Sequence, residues 1–298
     1  MVAESNSKLQ TPNYKLIVIV GETASGKSAL ALELAKRYNG ELICADATTV
    51  YQGFDIGTAK PSAEEQAMVP HHLLDIADPK MGFNAPLFKK ASQVKIEEII
   101  ARGRLPILVG GTGLYIDSVL YDYGFLEASE PARRSELEAM ELGDLVQLAR
   151  AQKLPVDTVD TRNKRRVIRL IENNGAAPTK ASLRPHTLVI GLAPSRDALD
   201  EHIAQRVDTM LAAGLEDEVR KLSQAYGWEA EPMKAIGYRE WREYFDGTQP
   251  LDKTRERIVA GTRRLAKKQR TWFRRNPHIH WFESARDAEA FLSSLPML

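Results

Sequence analysis

Gly21-Glu22-Thr23-Ala24-Ser25-Gly26-Lys27-Ser28 is the stretch on which the reading of this chain turns. It fits the phosphate-cradling pattern G-x-x-x-x-G-K-S/T. Before it, Lys15-Leu16-Ile17-Val18-Ile19-Val20 is a short, continuous, β-branched apolar run, as expected of a strand buried in a parallel sheet. After it, Ala29-Leu30-Ala31-Leu32-Glu33-Leu34-Ala35-Lys36 consists of strong helix formers. Strand, glycine loop and helix thus follow in the order that turns backbone N–H groups and a helix N-terminus toward a polyphosphate. Lys27 adds a point charge, and Ser28 a hydroxyl ligand for a bound Mg²⁺. The plainer alternative, an ordinary glycine-containing βα turn, is disfavoured by this context.

At 298 residues the chain can build one large domain, or one domain carrying an insert. With 43% hydrophobic and 27% charged residues it reads as soluble and globular. No apolar run approaches the length of a membrane span, so no membrane partner is expected. Residues 1–13 are polar, carry no secretory signal, and read as a mobile tail. The one cysteine, Cys44, excludes an internal disulfide, fits a reducing cytoplasmic setting, and reads as a small core residue. Nothing in the composition calls for an obligate protein partner.

The net charge is only +1, but its distribution is uneven. Residues 162–169 (RNKRRVIR) carry five basic side chains and no acid, and residues 262–275 (TRRLAKKQRTWFRR) carry seven and no acid. Two single-signed clusters in a near-neutral chain point to local polyanion contacts.

Along the chain, Glu41-Leu42-Ile43-Cys44-Ala45-Asp46 reads as a second strand ending in a carboxylate. Ligands of open parallel sheets bind beyond the carboxyl ends of strands, which places Asp46 in the same crevice as the phosphate loop. There it can serve as a Mg²⁺ partner, a general base or a helix cap. Residues 47–61, rich in Gly and Thr, read as an ordered loop over the site. His71 and His72 lack the spacing of common zinc sites and read as structural. A helix is expected over 86–103, stopping at Gly103, and a third buried strand over Leu105–Val109. That strand runs into Gly110-Gly111-Thr112-Gly113, where a ligand can approach the backbone and Thr112 offers a hydroxyl.

From 121 to 175 the strand-like runs stop, and 131–152 and 163–173 look helical and highly charged, which reads as a helical insert in an α/β core. A strand returns at Thr187–Leu192, followed by a helix over Asp197–Ala213 that carries Arg206. In a last long helix, roughly 251–275, Ile258, Leu265 and Trp272, with Val259, Ala266 and Phe273, define an apolar stripe. Arg263, Lys267, Arg270 and Arg274 run along another face and lack acidic i, i+4 partners, which favours phosphate binding. These features alone fit a nucleotide kinase or an RNA-modifying transferase, and the basic patches favour the second.

Taken together, GETASGKS, CADATTVYQGFDIGTAKP, PHHLLDI, LPILVGGTGLY, NKRRVIRLIE, IGYREW and GTRRLAKKQRTWFR occur in the order seen in tRNA dimethylallyltransferases, and the resemblance covers nearly all of residues 15–283. It implies a P-loop, kinase-like α/β fold, with core segments 14–120 and 176–298 and a tRNA-binding insert over 121–175. It also implies Mg²⁺-dependent transfer of a dimethylallyl group from its diphosphate to the adenine just 3′ of the anticodon.

By the same resemblance Asp46 is the base that takes a proton from the adenine amine, Thr112 lines the channel where donor and adenine meet, and Arg206 contacts the diphosphate beside the loop residues Gly21 to Ser28. RNA contacts are implied for Asp46, Ala47, Thr48 and Thr49 at the target base. Further contacts are implied for Arg162, Lys164, Arg165 and Arg166 in the insert, for Arg239, and for Arg263, Lys267, Lys268, Gln269, Arg270, Thr271 and Trp272 on the last helix. The chain departs from the family pattern at Ala47 and Thr49, where serine and often glutamine are usual, and at Glu22, whose charge beside a diphosphate is unhelpful unless it points outward. The rival readings are an adenylate isopentenyltransferase, a small-metabolite kinase and an inactive RNA-binding relative. The first two have no need of the basic patches, and Lys27, Asp46 and Thr112 argue against the last.

Overall fold

The computed structural model describes residues 14–127 and 129–295; the tail expected over 1–13 lies outside the described residues. The chain divides into two compact units, one running to Leu120 and resuming at Leu183, the other spanning Tyr121–Ser182.

The first unit is built on a parallel sheet. Its strands are β1 (Leu16–Gly21), β2 (Gly40–Ala45), β3 (His71–His72), β4 (Leu105–Gly110), β5 (Thr187–Leu192) and β6 (Ile279–Phe282), in the spatial order β3-β2-β4-β1-β5-β6. Every pairing is parallel. The four strands read from sequence appear within a residue of their expected limits. β3 and β6 are additions at the two edges.

The helices of this unit are α1 (Lys27–Arg37), α2 (Ala63–Met68), α3 (Ala85–Ala101) and α4 (Gly113–Leu120) before the insert. Those of the insert are α5 (Pro131–Ala139), α6 (Leu142–Ala151) and α7 (Lys164–Glu172). The first unit resumes with α8 (Arg196–Ala212), α9 (Leu215–Tyr226), α10 (Arg242–Phe245), α11 (Leu251–Phe273) and α12 (Ala285–Ser294). Against the sheet, Ile17, Ile19, Ile107 and Ile190 meet Leu30 and Leu34 of α1 and Ala288 and Leu292 of α12 in one core. A second core joins Val50, Tyr51 and Phe54 of the loop after β2 to α8, α9 and α11 through Ile203, Val207, Val219, Ile258 and Ala266. No helix among the described residues is long and apolar enough to cross a membrane.

One buried carboxylate ties the far end of the sheet. Glu41 on β2 accepts hydrogen bonds from Arg102 Nη2 at 2.7 Å and Arg104 Nη1 at 3.1 Å, and His72 Nε2 lies 2.6 Å from it. Burial alone would raise the Glu41 pKa, but the hydrogen bonds from Arg102 and His72 bring it below the usual carboxylate value. His71 bonds through Nδ1 to the Val69 carbonyl at 2.7 Å. Cys44 is buried in β2, and burial pushes its thiol up to about 12, as for a packing residue.

The insert has its own apolar centre, in which Leu137, Leu145 and Ala149 meet Val167, Ile168, Leu170 and Ile171. The Glu172 carboxylate accepts bonds from Ser129, Arg134 and Arg169 at 2.6, 2.9 and 3.1 Å. Its boundary falls at 182 rather than 175, because residues 176–182 pair back to the start of the insert. Gly124 and Thr179 form an antiparallel bridge, and Ala181 N–H donates to the Tyr121 carbonyl at 2.8 Å. No periodicity marks that return.

Candidate active site

The register of the sheet brings three loops side by side. Gly110 of β4 lies opposite Val20 of β1 and opposite Ala45 of β2, so all three strands end at one level. Asp46 follows β2, Gly111 and Thr112 follow β4, and the phosphate loop follows β1. The Gly111–Thr112 loop therefore stands between the carboxylate and the phosphate loop.

The phosphate loop is shaped for an anion. Ala24 and Gly26 take left-handed φ values of 62° and 88°, the alternation that converges successive N–H groups. Gly26 leads directly into α1, whose N-terminus carries no side-chain cap, leaving its orphan N–H groups for a ligand. Ser25 Oγ is buried without a hydrogen-bond partner and is free to donate to a phosphate oxygen. Lys27 Nζ donates to the Glu22 carbonyl at 3.1 Å. Burial and the neighbouring Arg206 guanidinium push the Lys27 ammonium down to about 8, against the pull of Asp46 and Glu22. The Arg206 pKa is likewise lowered by burial, with Asp46 opposing. Two cations held together in a desolvated place, with Asp46 and Glu22 only partly offsetting them, suit a multiply charged anion.

Asp46 is oriented by its neighbour: Oδ1 accepts from Thr48 N at 2.9 Å and Thr48 Oγ1 at 2.6 Å, leaving Oδ2 for a ligand. Thr112 Oγ1 accepts from Ala47 N at 3.0 Å, and Thr112 N–H donates to the Ala45 carbonyl at 3.2 Å. With its oxygen so engaged, the Thr112 hydroxyl can donate its proton to a ligand. A cavity of about 500 Å³ opens among these groups. Thr23, Asp46, Thr48, Thr112 and Arg206 form its polar side, and Ile203, Val207, Met210, Ile236, Ile258 and Leu265 its apolar side. Lys234, Arg239, Lys268 and Trp272 also line it.

Part of the wall, Gly57 and Thr58, is held from outside. The Glu218 carboxylate on α9 accepts from Asp55 N, Ile56 N and Gly57 N at 3.1, 2.7 and 3.0 Å, and from the Tyr238 hydroxyl at 2.8 Å. Lys60 Nζ, buried, bonds to the Tyr51 carbonyl at 3.0 Å and to Asp55 and Asp75 at 2.5 Å. Thr58 O in turn accepts from Arg206 Nη2 at 3.4 Å.

A family model described as IPP transferase matches residues 49–276. The chain belongs to the IPP transferase family. It is 41% identical over 284 residues to the tRNA dimethylallyltransferase of Anoxybacillus flavithermus, covering 92% of this chain and 91% of that one. It is 40% identical over 283 residues to that of Bacillus subtilis, covering 90% of each. Among solved structures, the full-length tRNA isopentenylpyrophosphate transferase of Bacillus halodurans superposes with a TM-score of 0.72 at 38% identity, over 94% of this chain and 96% of that one. A eukaryotic dimethylallyltransferase acting on tRNA gives 0.78 at 25% identity, over 95% of this chain and 80% of the other.

Within this IPP transferase fold the residues assigned to RNA contact fall into distinct places. Lys267, Lys268 and Thr271 are exposed on α11, and Arg263 is exposed while pairing with Asp200 at 3.0 Å. Exposed Arg239 pairs with Glu240 at 2.9 Å. Trp272 Nε1 donates to Asp117 at 2.9 Å. On the insert, Arg165 and Arg166 are exposed on α7, Arg162 pairs with Asp160 at 3.0 Å, and Lys164 Nζ donates to the Glu138 carbonyl at 2.8 Å.

Three residues depart from the sequence reading. Thr49 is buried, with Oγ1 unpaired and outside the cavity lining, because the chain turns inward there to seat Val50 and Tyr51 in the core. Arg270 points not outward but onto Glu22, which is 3% exposed and takes both Nε and Nη2. The charge that looked unhelpful beside a diphosphate is thus neutralised within the protein. Gln269 is 8% exposed and bonds to Thr23 N and Gly111 O. Four of the six residues of the stripe on α11 are core (Ile258, Val259, Ala266, Phe273), and Ile258, Leu265 and Trp272 line the cavity.

Among the described residues no three His, Cys, Asp or Glu side chains gather as a metal site. Ser28 is exposed at the head of α1. One hydroxyl beside an anion cradle fits Mg²⁺, a cation that takes few protein ligands and keeps several waters.

Proposed function

We propose that this protein transfers the dimethylallyl group of dimethylallyl diphosphate to N6 of the adenine at position 37 of tRNA, 3′ of the anticodon, releasing diphosphate. One observation carries the reading: Thr23 of the phosphate loop, the Arg206 guanidinium and the oriented Asp46 carboxylate line one cavity that also has a broad apolar wall. A kinase has no use for that apolar wall, whereas a prenyl chain fills it.

In this reading the loop N–H groups, Lys27 and Arg206 hold the diphosphate. Their charge stabilises the developing negative charge as the bond from C1 of the prenyl group to oxygen breaks. The bond from N6 to C1 forms, and Asp46 Oδ2 accepts the proton that N6 sheds. Thr48 keeps the carboxylate oriented, and the Thr112 hydroxyl donates a hydrogen bond to the acceptor base. Ile203, Val207 and Met210 shelter the allylic group from water. Ser28 would hold Mg²⁺, and the ion when bound would add to the neutralisation of the leaving group. The target adenine leaves its stack to enter the cavity. Exposed Lys267 and Lys268 on α11, with Arg165 and Arg166 on the insert, supply phosphate contacts.

The test incubates the protein with labelled dimethylallyl diphosphate, Mg²⁺ and tRNA lacking the modification. Label is expected in the anticodon-loop adenine, and Lys27→Ala should abolish its incorporation. Label on free adenine nucleotides instead of tRNA, or ATP turnover without the prenyl donor, would overturn the reading.

A further inference from the structure

The Gln269 side chain is an amide with both ends committed. Its Oε1 accepts Thr23 N–H at 2.8 Å, and its Nε2 donates to the Gly111 carbonyl at 3.1 Å. Thr23 belongs to the phosphate loop. Gly111 immediately precedes Thr112, whose hydroxyl oxygen takes Ala47 N–H beside Asp46. One buried side chain therefore spans the donor-holding loop and the loop that leads to the base. Gly111 is shaped for this contact: a Cβ there would lie 2.3 Å from Gln269 Nε2, and the next nearest group outside that side chain is the Gly21 carbonyl at 3.7 Å. The hydrogen-bond polarity fixes the amide's orientation, since Thr23 can only donate and Gly111 O only accept.

We infer that Gln269 is a positioning residue, not an RNA contact: it sets the separation between the diphosphate cradle and the Asp46–Thr112 side of the cavity. The inference rests on the prenyl-transfer reading. Transfer requires C1 of the donor and N6 of the acceptor to meet at near-attack distance, and a misplacement of about 1 Å costs about 10²-fold in rate. A brace between the two loops acts on that distance and leaves the binding of either substrate nearly unchanged.

The experiment measures single-turnover transfer of labelled dimethylallyl diphosphate to unmodified tRNA, with donor and tRNA affinities measured separately, for Gln269→Ala, Gln269→Glu, Gly111→Ala and the Gly111→Ala/Gln269→Ala pair. Gln269→Ala should slow the chemical step about 10²-fold, with both dissociation constants within about threefold of wild type. Gln269→Glu keeps the acceptor for Thr23 but sets an oxygen against Gly111 O. It should lose as much, and recover relative to wild type as falling pH protonates the new carboxyl. Gly111→Ala should behave like Gln269→Ala, and the double variant should be no worse than either, because the second change removes the clash made by the first. Should Gln269→Ala fail to fold, the glutamate and Gly111 variants carry the test.

Weakened tRNA binding with a shallower salt dependence and an unchanged chemical step would make Gln269 an RNA contact and overturn the inference. So would strictly additive losses in the double variant. A wild-type protein that transfers no label overturns the functional reading and this inference with it. An active wild type with unslowed variants overturns only the inference.

Discussion

Arg270→Ala separates a structural cation from an RNA-binding one. The substitution strands the Glu22 carboxylate, 3% exposed within the phosphate loop and accepting two bonds from the guanidinium. Removing one partner of a buried pair costs about 3–5 kcal/mol. Here a cavity of about 220 Å³, lined by Glu22 with Arg196, Arg263 and Lys267, lets water and other cations reach the stranded charge. A figure below that range, about 2–3 kcal/mol, is therefore expected. At about 2–4 °C per kcal/mol for a unit of this size, the melting temperature should fall by roughly 4–12 °C. Replacing both partners, as Glu22→Leu with Arg270→Met, should restore most of that loss. The companion assay is tRNA binding against salt concentration. A cation that bound an RNA phosphate would, on removal, reduce the log–log slope by about one, and none of that reduction is expected. A melting temperature within about 2 °C of wild type together with a shallower slope would refute the assignment of Arg270 to Glu22.

Four other outcomes are expected from the same geometry. Donor affinity should weaken as pH rises through about 8, because burial and Arg206 depress Lys27 and its ammonium is lost above that value; Lys27→Arg should flatten the profile, and a flat wild-type profile well into the alkaline range counts against it. Asp46→Asn keeps the acceptor for Thr48 but cannot take a proton, so the rate of transfer should fall about 10²–10⁴-fold with tRNA affinity intact; a parallel loss of affinity would mean a binding role. Glu41 has a lowered folded pKa, so its contribution to stability is present above the unfolded carboxylate value and is lost as pH falls through the folded one. Glu41→Gln should accordingly flatten the acid limb of melting temperature against pH. Glu218→Ala deprives three consecutive N–H groups of their acceptor, and amide exchange over 55–57 should accelerate at least about tenfold; unchanged protection would show the loop to be held by Lys60 alone.

The parts of this molecule that were legible in the sequence are those encoded locally. A continuous apolar run gives β1, β2, β4 and β5, and the residues just beyond the first, second and third of these strands give the phosphate loop, Asp46 and Thr112. The edge strands escaped for opposite reasons: β3 is two histidines with no apolar run, and β6, Ile279-His280-Trp281-Phe282, is half exposed and comes after a long helix. The fates of Gln269 and Arg270 were illegible because their partners lie 246 and 248 residues away at Thr23 and Glu22. Where a helix and its end carry seven basic residues in fourteen, periodicity shows which face is charged, not which of its members turns inward. Glu22 was the available signal: an acid in a loop meant for anions demands a cation, and only the fold could say which one.

Glu218 bears on transplantation. The segment from Asp46 to Pro61 looks like a self-contained cassette, yet its shape is imposed by a carboxylate on α9, outside it. Grafting those sixteen residues into another phosphate-loop protein would carry over the chemistry's letters without the clasp that folds them. A working graft would have to bring a helix start with a glutamate at the fourth position, as in α9, and a phenol such as Tyr238 to share it.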